Sequence, residues 1–213
     1  MKTPRTPSEF SDFLDEEFAW RLKEIADIKS AIKGVELTSQ KSIIRAGVPI
    51  LYAHWEGFVK ICSETLVNYI DRQGIILRRL RPCYIVFGVK KLISELQNSN
   101  NALNNIEVVN FFLNNLDSRA DLSVSGELST GSNLSSIVFE RIATSIGVDA
   151  GRYETKYVLI DTSLVNRRNK IAHGDYLDLD SASFADLANE VIGLLRSFRI
   201  DIENIVTTES FKI

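Results

Sequence analysis

The feature that most constrains the fold is a long stretch in which apolar residues recur every three or four positions. This spacing matches the 3.6-residue repeat of an α-helix with one apolar face. The predicted helix spans residues 39–72, with Ser39 as a candidate cap and Gly74 just beyond its end. A helix of this length is expected to be a central packing element. Its apolar face comprises Ile44, Val48, Leu51, Trp55, Phe58 or Val59, Cys62, Leu66 and Ile70.

The rest of the chain repeats the helical spacing and shows no convincing alternation typical of strands. Polar breaks fall at residues 99–101 and in a Ser- and Gly-rich loop at 117–133, which can hold a short extended piece at 122–124. The sequence predicts an all-α, single-domain bundle of about six to seven helices. Residues 1–34 would form an N-terminal helix and residues 35–213 the main helical domain. The other predicted helices span about 8–33, 82–96, 105–116, 133 or 135 to 147, 157–174 and 183–206.

Composition and charge limit the classes of function. A net charge of −3 argues against a protein that coats nucleic acid non-specifically, because such proteins have a basic face. This net charge is compatible with an enzyme that binds and cleaves one phosphodiester in a small local site. Cys62 and Cys83 form neither a metal pattern nor a disulfide framework, so we expect reduced thiols in or near the core of a cytoplasmic protein. The sequence predicts no metal site, no cofactor and no membrane span.

The candidate functional site lies near the end of the sixth predicted helix, in residues 164–175. On a helix, Asn169 and His173 lie four residues apart and share a face. Arg168 lies about 140° round from His173 on an adjoining face. A nearby arginine and histidine can hold a phosphate and move a proton near neutral pH. An alternative remains open, because cationic residues are common at helix C-termini and short motifs arise by chance.

Residues 168–174 together resemble the signature of the HEPN superfamily. Its nuclease members carry an arginine, a polar residue and then a histidine after four to six intervening residues; here four intervene and the polar residue is Asn169. Residues 51–60 are similar to a helix of the RiboL-PSP-HEPN branch, also called the MAE_28990/MAE_18760-like HEPN family. Residues 133–135 and the final helix also resemble that branch, so the resemblance covers roughly residues 35–207.

This resemblance implies an all-α, metal-independent endoribonuclease, often the toxin of a toxin–antitoxin or phage-defence system. It implies a homodimer in which two motifs face each other across one cleft. His173 would be the general base or acid, Arg168 would stabilise the phosphorane, and Asn169 would orient the phosphate or the His173 ring. The expected partners are RNA, a second copy of the chain and a cognate antitoxin or defence-system protein. Arg167 and Lys170 are expected to help bind the substrate.

For several further residues, the sequence is compatible with either a structural or a functional role. His54 is expected mainly as a packed histidine at the edge of the core, with a role near the cleft as the alternative. Glu56 is either a solvated acid or an anchor for Arg167 or Arg168. Tyr52 and Trp55 are interpreted as core residues rather than base-stacking platforms. Arg78, Arg79 and Arg81 either contact the RNA backbone or form a solvated turn.

The residues after the motif depart from a related HEPN group. That group has a tyrosine two residues after the histidine, whereas here Asp175 occupies the position and Tyr176 follows. Asp175 either pairs with Arg167 or Arg168 or places a repelling charge near RNA. Two alternative functions remain: a HEPN-like binding module that does not cut, and a purely structural bundle.

Overall fold

The long apolar stretch forms a central helix, which packs along the first and the last of the α-helices described below. The computed structural model describes residues 3–98, 101–124, 128–131 and 133–213. The predicted break at Ser99 and Asn100, and residues 125–127 and 132 of the predicted loop, lie outside them. A 3-10 helix forms at Leu77–Arg79, another at Ala150–Lys156, and a π-helix at Leu159–Asn166. The α-helices are α1 (Pro7–Lys33), α2 (Leu37–Arg72), α3 (Pro82–Asn98), α4 (Ala102–Asn114), α5 (Ser136–Ser145), α6 (Arg167–Ala172) and α7 (Ser181–Thr207).

The all-α prediction is confirmed, and the helix ends differ by a few residues for local reasons. Ser39 is not the cap of α2, because that helix begins two residues earlier behind Glu36. The Glu36 carbonyl already accepts a bond from the Gln40 amide at 2.9 Å, so Ser39 lies inside the first turn. The Asn101 side chain caps α4 and that of Asp180 caps α7, so both helices also start earlier than predicted.

No strand forms in the described part of residues 117–133. The predicted extended piece is instead held by single bonds to neighbouring helices. The Leu122 amide donates to the Asp71 carboxylate at 2.9 Å, and the Ser123 amide to the Phe87 carbonyl at 3.2 Å. Two isolated bridges, Ile76 to Arg119 and Leu80 to Lys212, tie the turn after α2 to the loop and to the C-terminus.

The core lies where α1, α2 and α7 meet α5. Trp55 is fully buried against Phe139 and Phe198, with ring centroids 5.1 and 6.2 Å away. Cys62 is buried and Cys83 half-buried, both as free thiols, which confirms their predicted location. The helix α1 belongs to the same core, since its apolar side packs on α2 and α7.

A glycine allows α2 and α7 to approach closely. A Cβ built on Gly47 would lie 2.8 Å from ring atoms of Phe184 in α7, closer than real contacts allow. The absence of a side chain at this position therefore leaves room for the Phe184 ring against α2. None of the described helices has the length and apolar character that crossing a membrane requires.

Candidate functional site

The predicted helix over residues 157–174 forms, but its middle is a π-helix. Ile160, Leu164 and Val165 are buried, and the wider π turn lets all three face the core. The Asp161 carboxylate fixes this segment to the start of α5, accepting from the Ser136 amide at 2.7 Å and its hydroxyl at 2.6 Å. The π-helix ends at Asn166, so regular α geometry resumes at Arg167, one residue before Arg168.

The end of α6 exposes His173. The His173 amide donates to the Asn169 carbonyl at 3.0 Å, and the Asp175 amide donates to the Lys170 carbonyl at 2.9 Å. Gly174 turns the chain with a φ of +88°, a conformation that favours glycine. The imidazole of His173 is exposed beyond the last turn and has no side-chain hydrogen bond to the described residues. It is therefore accessible to a ligand from outside the chain.

Arg168 and Asn169 are joined directly. Arg168 Nη1 donates to Asn169 Oδ1 at 2.8 Å. The Arg168 guanidinium carbon lies 4.3 Å from the centroid of the Tyr52 ring in α2. The Tyr52 hydroxyl accepts a 2.7 Å bond from the Leu134 amide, just before α5. The site thus rests on α2, and the prediction that Tyr52 and Trp55 are core residues is confirmed.

Burial dominates the electrostatics of Tyr52. It raises the pKa of the phenol above its ordinary value, and the charge of Glu56 raises that pKa further. The Leu134 amide bond and Arg168 act in the opposite direction but do not reverse the shift. The phenol therefore stays neutral at physiological pH. A neutral ring beneath Arg168 contributes its π-face and not an opposing charge.

Two cations of α2 that sequence reasoning missed lie against the segment after the motif. The Arg45 guanidinium donates to the backbone carbonyl of Asp175, and Lys41 Nζ lies 3.5 Å from the exposed Tyr176 hydroxyl. Lys41 lies four residues before Arg45, and Arg45 lies seven residues before Tyr52. These spacings place the three side chains on one face of a helix, a pattern that could have identified the two cations from the sequence. Lys41 and Arg45 thus add positive charge beside α6, which itself carries Arg167, Arg168 and Lys170.

The structure places His54 away from the motif. Two residues from Tyr52, it points to the opposite side of α2, towards α1. Its Nε2 lies 2.9 Å from Glu24 Oε2, although the ring is not directed for a linear hydrogen bond. Its ring centroid lies 5.3 Å from that of Trp20. Burial lowers the pKa of His54, with Arg21 adding to the shift and Glu24 opposing it.

Glu56 lies on the motif side of α2, one turn after Tyr52. It is half-buried, and its Oε1 is buried without a hydrogen-bond partner in the part of the chain that the structure describes. Its charge acts on the Tyr52 phenol, so it contributes to the electrostatics beneath Arg168. Its predicted role as an anchor for Arg167 or Arg168 stays a prediction.

The basic turn before α3 is tied to the protein itself. Arg78 makes two hydrogen bonds to the exposed Asp117 carboxylate, at 2.7 and 3.1 Å. Arg81 reaches the Ser210 carbonyl at 3.5 Å. The described residues also contain no group of three His, Cys, Asp or Glu side chains arranged to hold a metal ion. The motif at the end of α6 is consequently the strongest candidate site.

Comparison with known proteins gives one result. A protein-family model described as MAE_28990-like HEPN matches residues 10–211, which includes most of α1 and all later helices. The match extends further towards both ends than the resemblance read from residues 35–207. No curated protein and no solved structure matches the chain.

Proposed function

The chain belongs to the MAE_28990-like HEPN family, and from this membership we propose that it is a metal-independent endoribonuclease. The observation that carries the proposal is that α6 holds Arg168 bonded to Asn169 and is followed at once by the exposed His173. A guanidinium and an exposed imidazole on one short helix suit phosphodiester cleavage, because one binds the phosphate and the other transfers a proton.

In the proposed reaction, a ribose 2′-OH attacks the adjacent phosphorus. A histidine takes the 2′-OH proton, the new O–P bond forms, and the bond to the 5′-oxygen breaks as that oxygen receives a proton. The products are a 2′,3′-cyclic phosphate and a 5′-OH. Arg168 balances the additional negative charge on the phosphorane. Asn169 uses its Oδ1 to orient Arg168, which leaves its amide N–H₂ as the group that it can offer to phosphate.

A single histidine per motif makes a symmetric dimer chemically attractive. One His173 can act as base while the other acts as acid, when two copies present the same surface to one another. The exposure of His173 beyond the end of α6 supports this arrangement, because a second copy can approach it. Arg167 and Lys170 would then flank the RNA backbone in the shared cleft.

The proposed setting is a cytoplasmic toxin–antitoxin or phage-defence system, in line with the activities that the family resemblance implies. In such a system, an antitoxin or defence-system protein would restrain the cleavage. Expression of the chain alone should slow growth in a bacterial host, and Arg168→Ala should relieve the effect. Equal growth inhibition by the wild type and the variant would count against the toxin role.

The decisive experiment incubates purified protein with a mixed RNA substrate in EDTA and identifies the product ends. Wild type should leave cyclic phosphate and 5′-OH ends, whereas Arg168→Ala and His173→Ala should leave the RNA intact. Arg196→Ala is a matched control, since it removes an exposed arginine of α7 away from the motif. RNA binding without cleavage by a folded wild type would instead indicate the non-catalytic binding module.

A further inference from the structure

We infer that Tyr52 is a positioning residue for Arg168, and that its aromatic ring holds the guanidinium in the orientation that phosphate binding needs. This inference rests on the proposed RNA cleavage. It begins with the 4.3 Å distance between the Arg168 guanidinium carbon and the Tyr52 ring centroid. That distance is well within the roughly 6 Å over which a cation is attracted to an aromatic face.

The ring is itself held in place at both ends. Its backbone belongs to the middle of the longest helix, and the side chain is only 3% exposed. Its hydroxyl accepts the 2.7 Å bond from the Leu134 amide, which fixes the ring from the α5 side. Tyr52 is therefore fixed by α2 and by the segment before α5, and it contacts Arg168, whose backbone belongs to α6.

This support matters because arginine is a flexible side chain. A guanidinium that must meet a phosphorane loses effectiveness when it samples many rotamers, since misplaced catalytic groups lose rate steeply. Asn169 constrains one nitrogen of Arg168 through a single 2.8 Å bond. The Tyr52 ring constrains the guanidinium from a different direction, so that its plane is held by more than the bond to Asn169.

The two functions of the tyrosine, ring and hydroxyl, can be separated by substitution. Tyr52→Phe keeps the ring and removes the hydroxyl, with its bond to Leu134 and its interaction with Arg168, whereas Tyr52→Leu keeps apolar volume and removes the ring. On a short RNA with one cleavage site, Tyr52→Leu should lower kcat at least tenfold and change KM less than threefold. Tyr52→Phe should recover most of the lost kcat.

A matched control separates positioning from loss of stability. Tyr69 is another buried tyrosine of α2, and its ring packs against Phe10 and Phe211 away from the motif. Tyr69→Leu should cost similar stability in urea unfolding but keep the wild-type kcat. If Tyr69→Leu lowers kcat as much as Tyr52→Leu, the effect is structural and the inference fails.

A second measurement works without any activity. In ¹⁵N-labelled free protein, the Arg168 Nε–H proton should show an upfield ring-current shift. Tyr52→Leu should move this resonance downfield, and Tyr52→Phe should leave it near its wild-type position. An unchanged Arg168 resonance in Tyr52→Leu would overturn the inference.

The outcomes distinguish this inference from the proposed function. If wild type does not cut RNA, the proposed function fails and the resonance alone decides whether the ring orients Arg168. If wild type cuts and Arg168→Ala does not, but Tyr52→Leu cuts at the wild-type rate, the proposed function stands and the role of Tyr52 is wrong. Equal loss in Tyr52→Phe and Tyr52→Leu would assign the effect to the hydroxyl and overturn the role of the ring.

Discussion

The Arg45 guanidinium donates a hydrogen bond to the backbone carbonyl of Asp175, two residues after His173. Arg45 and Tyr52 lie seven residues apart, so two turns of α2 bring them onto nearly the same face. Tyr52 contacts the motif at Arg168, and Arg45 contacts the chain just past His173. One face of the central helix therefore holds the candidate site at both ends.

Loss of the Arg45 contact should affect activity more than stability. Arg45→Ala should lower RNA cleavage by about threefold to tenfold, because the segment beside His173 loses its tether, while the free energy of unfolding falls by less than about 1 kcal/mol. Cleavage rates and urea unfolding measure the two effects. Arg72→Ala is the matched control, since Arg72 also reaches a backbone carbonyl from α2, that of Thr3 at 3.5 Å. Full activity in Arg45→Ala would show that the tether is dispensable.

A shared dimer site predicts a characteristic effect of mixing. If cleavage needs His173 from both copies, refolding wild type with an equal amount of His173→Ala should leave about a quarter of the activity, because only dimers with two wild-type copies cut. Independent sites would leave about half. Activity is measured at constant total protein, and light scattering checks that the dimer forms. A monomeric, fully active protein would exclude the shared site.

Two glycines of α2 should respond to alanine in opposite ways. Gly47→Ala should destabilise the fold by about 1–3 kcal/mol, because its Cβ would collide with the Phe184 ring. Gly57→Ala should stabilise by roughly 0.5–1 kcal/mol, because alanine favours a helix. Its Cβ meets only ordinary contact, 3.5 Å from Arg21 Nη2. Urea unfolding of both variants gives the comparison. Stabilisation by Gly47→Ala would mean that the Phe184 ring or α7 can move aside without cost.

His54 should make stability depend on pH below neutrality. Burial holds the pKa of His54 below its ordinary value, so the unfolded chain binds the proton first as the pH falls past about 6.5. The stabilising contribution of neutral His54 is present above that pH and is lost as the pH falls through the lower pKa of the folded state. The free energy of unfolding should therefore decrease as the pH falls below about 6.5.

One substitution tests this prediction. His54→Gln should flatten the pH dependence of unfolding, because glutamine does not titrate. Urea unfolding at several pH values measures the slopes of this variant and of the wild type. An identical slope in His54→Gln and wild type would mean that other groups cause the pH dependence.

The helices were predictable because their causes are local. The apolar repeat of α2 and Pro82 at the start of α3 are visible in the sequence, and both helices form. The end of α6 just before Gly174 was also predictable, because a positive φ suits glycine. The prediction that Ser39 caps α2 was wrong, because a serine caps a helix only where its own backbone is extended. In this helix the extended residue before the first turn is Glu36.

The supports of the candidate site were not predictable, because they join residues far apart in the chain. Tyr52 and Arg168 are separated by more than a hundred positions, and nothing in the spacing of either indicates their contact. The sequence pattern made Tyr52 a core residue, which it is, but burial alone does not indicate which cation lies on its ring. Asp161 was missed for the same reason, since its partner Ser136 lies on another helix.

The π-helix at Leu159–Asn166 sets the register in which the motif meets α2. Each π turn takes up one residue more than an α turn. If one such turn relaxed to α spacing, the chain beyond it would advance by one residue, turning α6 by about 100° and moving it about 1.5 Å along its axis. Arg168 would leave the Tyr52 ring, and Arg45 would face a different carbonyl. A slip of one residue in the backbone would thus disassemble the site while every one of its side chains stayed the same.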